Sequence, residues 1–307
     1  MPSNAMLSLL LAVGPAAVSA WSYPGQLGFA LGAVMPSGAC KTTNDYLDDF
    51  KALSANTNTS LVRGYDAGGC DYAANIIPAC KQAGFKVILG IWPDADDTYN
   101  SGKSAVQAAV STYGDKLSDY VYAITVGSET IYRGNFTAAT LNPKINEIKD
   151  IVGDIPVGTA DSWTSYQSGA LNDVITNPKV DILLANGFAF WQGSTNENAT
   201  QVFLDDIAQA QGIVQKLGPG KHFMVGETGW PTGGGDYEKA VPGTKEAETY
   251  FKNSVCTILA IGGDLFVFEA FDEPGKGTAT GLDGTVLDET HWGVLDQNRN
   301  PKYSFSC

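Results

Sequence analysis

The chain has 307 residues and a formal net charge of −14, with 19 Lys and Arg against 33 Asp and Glu. That balance excludes a nucleic-acid binder, which needs clustered cations for phosphates, and the two histidines are too few for a three-His zinc site. The length suits one large α/β barrel or two smaller domains.

The first distinctive segment is 6–20, where Leu7 and the apolar run 9–13 lead to Val18, Ser19 and Ala20. It reads as a secretory leader cleaved near Ala20, although no Lys or Arg precedes it. A cloning remnant or an ordered N-terminal strand is the alternative. No other apolar run is long enough to span a bilayer. Residues 21–307 then form a single domain, and secretion permits disulfides among the five cysteines. Asn58, Asn135 and Asn198 open N-glycosylation sequons.

Apolar runs and helical patterns alternate from there on. Strands are expected over 27–34, 60–65, 85–92, 121–126, 155–159, 180–188, 222–225 and 264–270. Helical spacing appears over 45–53, where Tyr46, Leu47, Phe50 and Leu53 share a face, and over 71–82, interrupted by Pro78. It recurs over 104–120, 142–151, 200–217 and 245–261, the last stopped by Gly262 and Gly263. Most strands are continuously apolar, as when helices cover a parallel sheet. Eight such units predict a (β/α)8 TIM barrel. A doubly wound open sheet is the competitor, but Gly28 and Gly32 have the wrong spacing for a dinucleotide loop.

Barrel active sites lie at the C-terminal ends of the strands. Asp66, Trp92, Glu129, Trp163, Trp191, Glu227, Glu269 and Glu273 all fall at or just beyond such ends, and Trp230 lies in the loop after the seventh. A ring of acids and tryptophans suits a sugar, because pyranose faces stack on indoles and hydroxyls bond to carboxylates. Glu129 and Glu227, one after the fourth strand and one after the seventh, would face each other across the mouth. Two flanking carboxylates, one protonated and one ionised, are what glycoside hydrolysis requires. The bland alternative for each residue is a solvated strand-end acid or a half-buried Trp.

The segment 226–232, read GETGWPT, resembles the signature of glycoside hydrolase family 17, the β-1,3-glucanases and related glucanosyltransferases. The segment 126–129 resembles that family's acid/base motif, and 268–276 and 289–295 resemble its later segments. The resemblance implies a barrel, retention of configuration, no metal and no organic cofactor. Carried over by position, Glu227 is the nucleophile and Glu129 the acid/base. Glu273 and Lys276 match family residues beside the site. Ser128, Tyr132, Trp163, Trp191 and Trp230 are the remaining expected substrate contacts. The implied partner is β-1,3-glucan, as oligosaccharide or polymer, acted on by a secreted, cell-wall monomer.

Two departures stand out. Ser128 replaces the Asn common before the acid/base, a form similar to the fungal cell-wall branch. The stretch 186–190, read NGFAF, lacks two phenols of the family's Tyr-Pro-Tyr-like motif. Barrel geometry also suggests the disulfides: Cys40 and Cys70 lie in neighbouring loops at the mouth, and Cys256 and Cys307 at the opposite face, leaving Cys80 free. Two alternative functions remain: a wall protein that binds glucan without cleaving it, and a retaining barrel glycosidase acting on another polysaccharide.

Overall fold

The computed structural model describes residues 23–281 and 283–307; the expected leader lies outside them. Eight parallel strands close into a barrel: β1 (Leu27–Ala30), β2 (Leu61–Arg63), β3 (Lys86–Ile91), β4 (Val121–Ser128), β5 (Val157–Ser162), β6 (Ile182–Asn186), β7 (His222–Thr228) and β8 (Leu265–Val267). Each pairs with its sequence neighbours, and β8 closes on β1 through Leu27–Leu265 and Gly28–Phe266. This is the TIM barrel expected from the apolar runs.

The core has two layers. Inside the barrel, Leu61, Ile88, Ala123, Ala160, Ile182, Leu184, Met224 and Phe266 fill the lumen. Gly28 makes room for the Phe266 ring, which a Cβ there would approach to 2.5 Å. Outside, helices cover the strands: α1 (Thr43–Asn56), α2 (Tyr72–Ala83), α3 (Asp96–Tyr113), α4 (Ala138–Val152), α5 (Trp163–Gln167), α6 (Asn172–Ile175), α7 (Asn196–Leu217), α8 (Thr244–Tyr250) and α9 (Cys256–Ala260).

Several boundaries differ from the pattern-based expectation for local reasons. The third helix starts at Asp96, with Asp96 and Asp97 in its first turn, where acids complement the helix dipole, and ends at Tyr113, capped by Gly114. The fourth starts at Ala138 behind a Thr137–Thr140 capping box. The helix expected over 245–261 is divided by a π-helical turn, Phe251–Val255. Two short helices, α5 and α6, fill the connection after β5, where no helical period was evident. An antiparallel hairpin, β9 (Thr278–Thr280) with β10 (Val286–Asp288), rises from the loop after β8.

Disulfides join Cys40 to Cys70 and Cys256 to Cys307, with Cα atoms 5.2 and 5.5 Å apart. Cys80 is a buried thiol. No helix among the described residues is long and apolar enough to cross a membrane.

Candidate active site

Irregularities at the ends of β4 and β7 build the site. The pairing of β4 with β5 shifts register between Thr125 and Ser128, and Gly127 takes φ +90°. The bulge re-aims successive residues, so that Ser128 and Glu129 both line the cleft instead of pointing to opposite faces. Glu129 itself leaves the strand with φ +58°, a conformation few non-glycine residues adopt. On β7 the register with β6 skips Gly226, pairing Asn186 with Glu227. A Cβ on Gly226 would come within 2.5 Å of Asn186 Oδ1, which ties that position to glycine.

These strand ends surround a cleft of about 640 Å³. Ser128, Glu129, Tyr132, Trp163, Trp191, Glu227, Glu273 and Lys276 line it, together with Tyr65, Trp92, Asn186, Phe188, Glu269 and Glu289. Trp230 does not. The loop after β7 turns its ring behind the barrel wall, against Phe190 and Tyr250, and its indole N–H donates to Val241 O at 3.0 Å. Only 2% exposed, Trp230 is a core residue, which corrects its expected sugar contact. Asp66 accepts the Gly68 amide within its own loop and does not line the cleft.

Glu227 is held by Arg63, a fully buried arginine at the end of β2. Its Nη1 donates to Glu227 Oε1 at 2.8 Å and to Gly226 O at 2.7 Å, and its Nη2 donates to Ser128 Oγ at 3.0 Å. The guanidinium also sits 4.9 Å from the Tyr65 ring centre. One planar fork thus ties β2, β4 and β7 together around one carboxylate. The Tyr65 phenol is raised well above its ordinary range by burial, then by the Glu227 charge.

Glu129 has a different environment. Asn186 Nδ2 donates to its Oε1 at 3.0 Å, and among the described residues no cation bonds directly to its carboxyl. Desolvation pushes its carboxyl up to about 7, the Glu227 charge adds to this, and the Asn186 hydrogen bond opposes it. Across the mouth, Lys276 Nζ contacts Glu269 Oε2, lies 3.6 Å from Glu273 Oε2, and sits over the Phe268 ring. Burial pushes Glu269 up to about 8 against the Lys276 charge. Gly32 leaves space for Glu273, whose Oε1 would overlap a Cβ there.

Aromatic groups form the walls. Trp191 packs against Tyr237 and Phe190, and Arg133 stacks 4.7 Å above Trp92. Phe188 packs edge-on against Phe268 and Trp292, offering no hydroxyl to the acids. Sequence reasoning missed Arg63 and passed over Asn186. The signal for Arg63 was present: a cation in the short apolar run Leu61–Arg63 must find a buried acceptor.

A family profile described as the BtgE/BtgC glycoside hydrolase domain matches residues 28–293. A protein of Arthroderma benhamiae named glucan 1,3-beta-glucosidase is 47% identical over 311 residues, covering 100% of this chain and 98% of that protein. One of the same name from Saccharomyces cerevisiae is 39% identical, covering 92% and 91% of the two chains. Among solved structures, an active-site mutant of Rhizomucor miehei beta-1,3-glucanosyltransferase in complex with laminaritriose superposes with a TM-score of 0.78 at 28% identity, covering 92% of this chain and 97% of that one.

Proposed function

Since the chain belongs to glycoside hydrolase family 17 and carries the BtgE/BtgC glycoside hydrolase domain, we propose that it is a retaining enzyme acting on β-1,3-glucan, with Glu227 as nucleophile and Glu129 as acid/base. The observation that carries this reading is the contrast between the two carboxyls. Glu227 is ion-paired to buried Arg63 at 2.8 Å, whereas Glu129 is pushed up to about 7. Environments that separate two acids in one cleft divide the acid and nucleophile roles between them.

In the first step a Glu227 oxygen bonds to the anomeric carbon as the glycosidic C–O bond breaks. The Glu129 proton passes to the departing oxygen, which leaves as a hydroxyl. Arg63 keeps the Glu227 carboxylate oriented through Oε1 and the neighbouring backbone, and the Ser128 hydroxyl donates to the same Oε1 at 3.5 Å. In the second step Glu129, now ionised, takes the proton of an incoming hydroxyl while that oxygen displaces Glu227. Water as acceptor gives hydrolysis, and a second glucan gives transfer. The part-exposed Trp163 and Trp191 provide stacking faces for glucosyl units along the cleft. Ser128, Tyr132, Glu273 and Lys276 supply polar contacts. An extracellular or wall location fits the two disulfides, which persist in oxidising surroundings.

The test is a product analysis from laminari-oligosaccharides with the unaltered protein and with Glu227→Gln. Products with retained β-configuration are expected from the first and none from the second. Products longer than the starting chain identify transfer. Undiminished turnover by Glu227→Gln would remove the nucleophile assignment.

A further inference from the structure

The acid/base assignment leaves a fully buried acid beside it without a task. Asp161, the penultimate residue of β5, has no solvent exposure. Its Oδ1 accepts the Ser165 hydroxyl at 2.7 Å, the Ser162 amide at 2.9 Å and the Tyr132 amide at 3.1 Å; its Oδ2 accepts the Ile131 amide at 3.0 Å. Four donors and no hydrogen-bond acceptor among the described residues converge on it, a pattern that favours the ionised carboxylate against the burial that pushes this carboxyl up. Two of those donors are the amides two and three residues beyond Glu129.

That placement bears directly on Glu129. A left-handed conformation at a glutamate is strained and persists only where surrounding contacts hold it. Two consecutive residues of β5 supply them. Ala160 O accepts the Glu129 amide at 2.9 Å on one side, and Asp161 takes the Ile131 and Tyr132 amides on the other. Among the described residues no other acceptor serves these two amides, so without Asp161 the turn keeps only the Glu129–Ala160 bond to β5.

We propose that Asp161 is a positioning residue for the acid/base, clamping the turn after β4 so that the Glu129 carboxyl faces the scissile oxygen. The inference deepens the proposed function and rests on it. Its charge also acts in the same sense as its geometry: Asp161 is among the groups that raise Glu129, after burial and Glu227.

Asp161→Asn tests this. With its remaining oxygen serving the three donors at Oδ1, its new NH2 faces the Ile131 amide, so the damage falls on the Glu129 turn. Two substrates separate acid catalysis from binding: a laminari-oligosaccharide, whose leaving oxygen needs a proton, and 2,4-dinitrophenyl β-laminaribioside, whose leaving group does not. For Asp161→Asn, kcat/KM on the oligosaccharide is expected to fall by about 100-fold. The initial dinitrophenolate release should fall by less than about threefold. Azide, which attacks without a general base, should restore steady turnover of the dinitrophenyl substrate. The alkaline limb of the pH profile should move to lower pH. Equal losses on both substrates in a folded variant, or no loss on either, overturn the inference. Glu129→Ala run in parallel separates the two levels. If Glu129→Ala shows no split, the acid/base reading falls; if it splits and Asp161→Asn does not, only the Asp161 inference falls. Should Asp161→Asn not fold, Ser165→Ala removes the 2.7 Å bond alone. There the same split is expected at about three- to tenfold, and its absence overturns the inference.

Discussion

Two carboxylate–cation pairs share the barrel mouth, yet they are built differently. On the β2–β4–β7 side, Arg63 rises from a strand and serves Glu227, a backbone carbonyl and the Ser128 hydroxyl at once. On the β8 side, Lys276 comes from a loop and serves Glu269 and Glu273, with the Glu289 carboxyl also within reach of its charge. Burial works to lower Lys276, but the Glu269 and Glu273 charges outweigh it and the ammonium is raised. Arginine fixes one carboxylate in direction; lysine is a point charge divided among several acids. The first arrangement suits a group that must attack along one line. The second spreads one ammonium over several acids that face the cleft, so none of them is held in a single direction.

Each half of this comparison can be broken separately. The largest effect is expected from Glu227→Ala, about 10⁴-fold or more in kcat on laminari-oligosaccharides; a change under tenfold would reassign the nucleophile. Next is Arg63→Met, which leaves Glu227 buried without its partner and should destabilise the fold by about 3–5 kcal/mol in urea unfolding, with activity lost in the folded fraction as well. Lys276→Met should be milder, about 10- to 100-fold in kcat/KM, because its charge is shared; a loss as deep as that of Arg63→Met would mean the two pairs are equivalent. Glu269→Gln is read in stability. The Glu269 carboxyl stands at about 8 in the fold against an ordinary 4.5. A raised acid contributes stability below its unfolded value that is lost as pH climbs through the folded value. The unaltered protein should therefore lose unfolding free energy between those two values, and Glu269→Gln should lose less. The smallest catalytic effect belongs to the tryptophans. Trp191→Ala should raise KM and shorten transfer products, whereas Trp230→Phe should lower the melting temperature with kinetics nearly unchanged.

The tryptophans also show how far the amino-acid order carried the reading. The barrel was legible because most of its strands are buried on both faces and so read as nearly unbroken apolar runs. Glu129 and Glu227 were legible because each stands within two residues of a glycine at a run's end, where the chain must turn. Trp230 sits in an equally suggestive place, but its direction depends on how the loop folds back onto Phe190 and Tyr250, a tertiary choice without local periodicity. The same limit hid Arg63 and Asn186: their partners are 164 and 57 residues away. The β9–β10 hairpin escaped notice because its three-residue strands are largely exposed and carry no apolar alternation.

The ties near the chain's two ends have a practical bearing. Gly25 donates to Leu259 O, and Cys307 is bonded to Cys256, one helical turn from Leu259. The described chain thus enters and leaves the barrel at the rim opposite the cleft. Anything anchored through the C-terminal cysteine region, whether a solid support or a fused partner, hangs from the far pole and leaves the glucan-facing opening turned outward. An enzyme immobilised that way should keep its access to insoluble polysaccharide, where attachment through the Thr278–Thr280 hairpin would obstruct it.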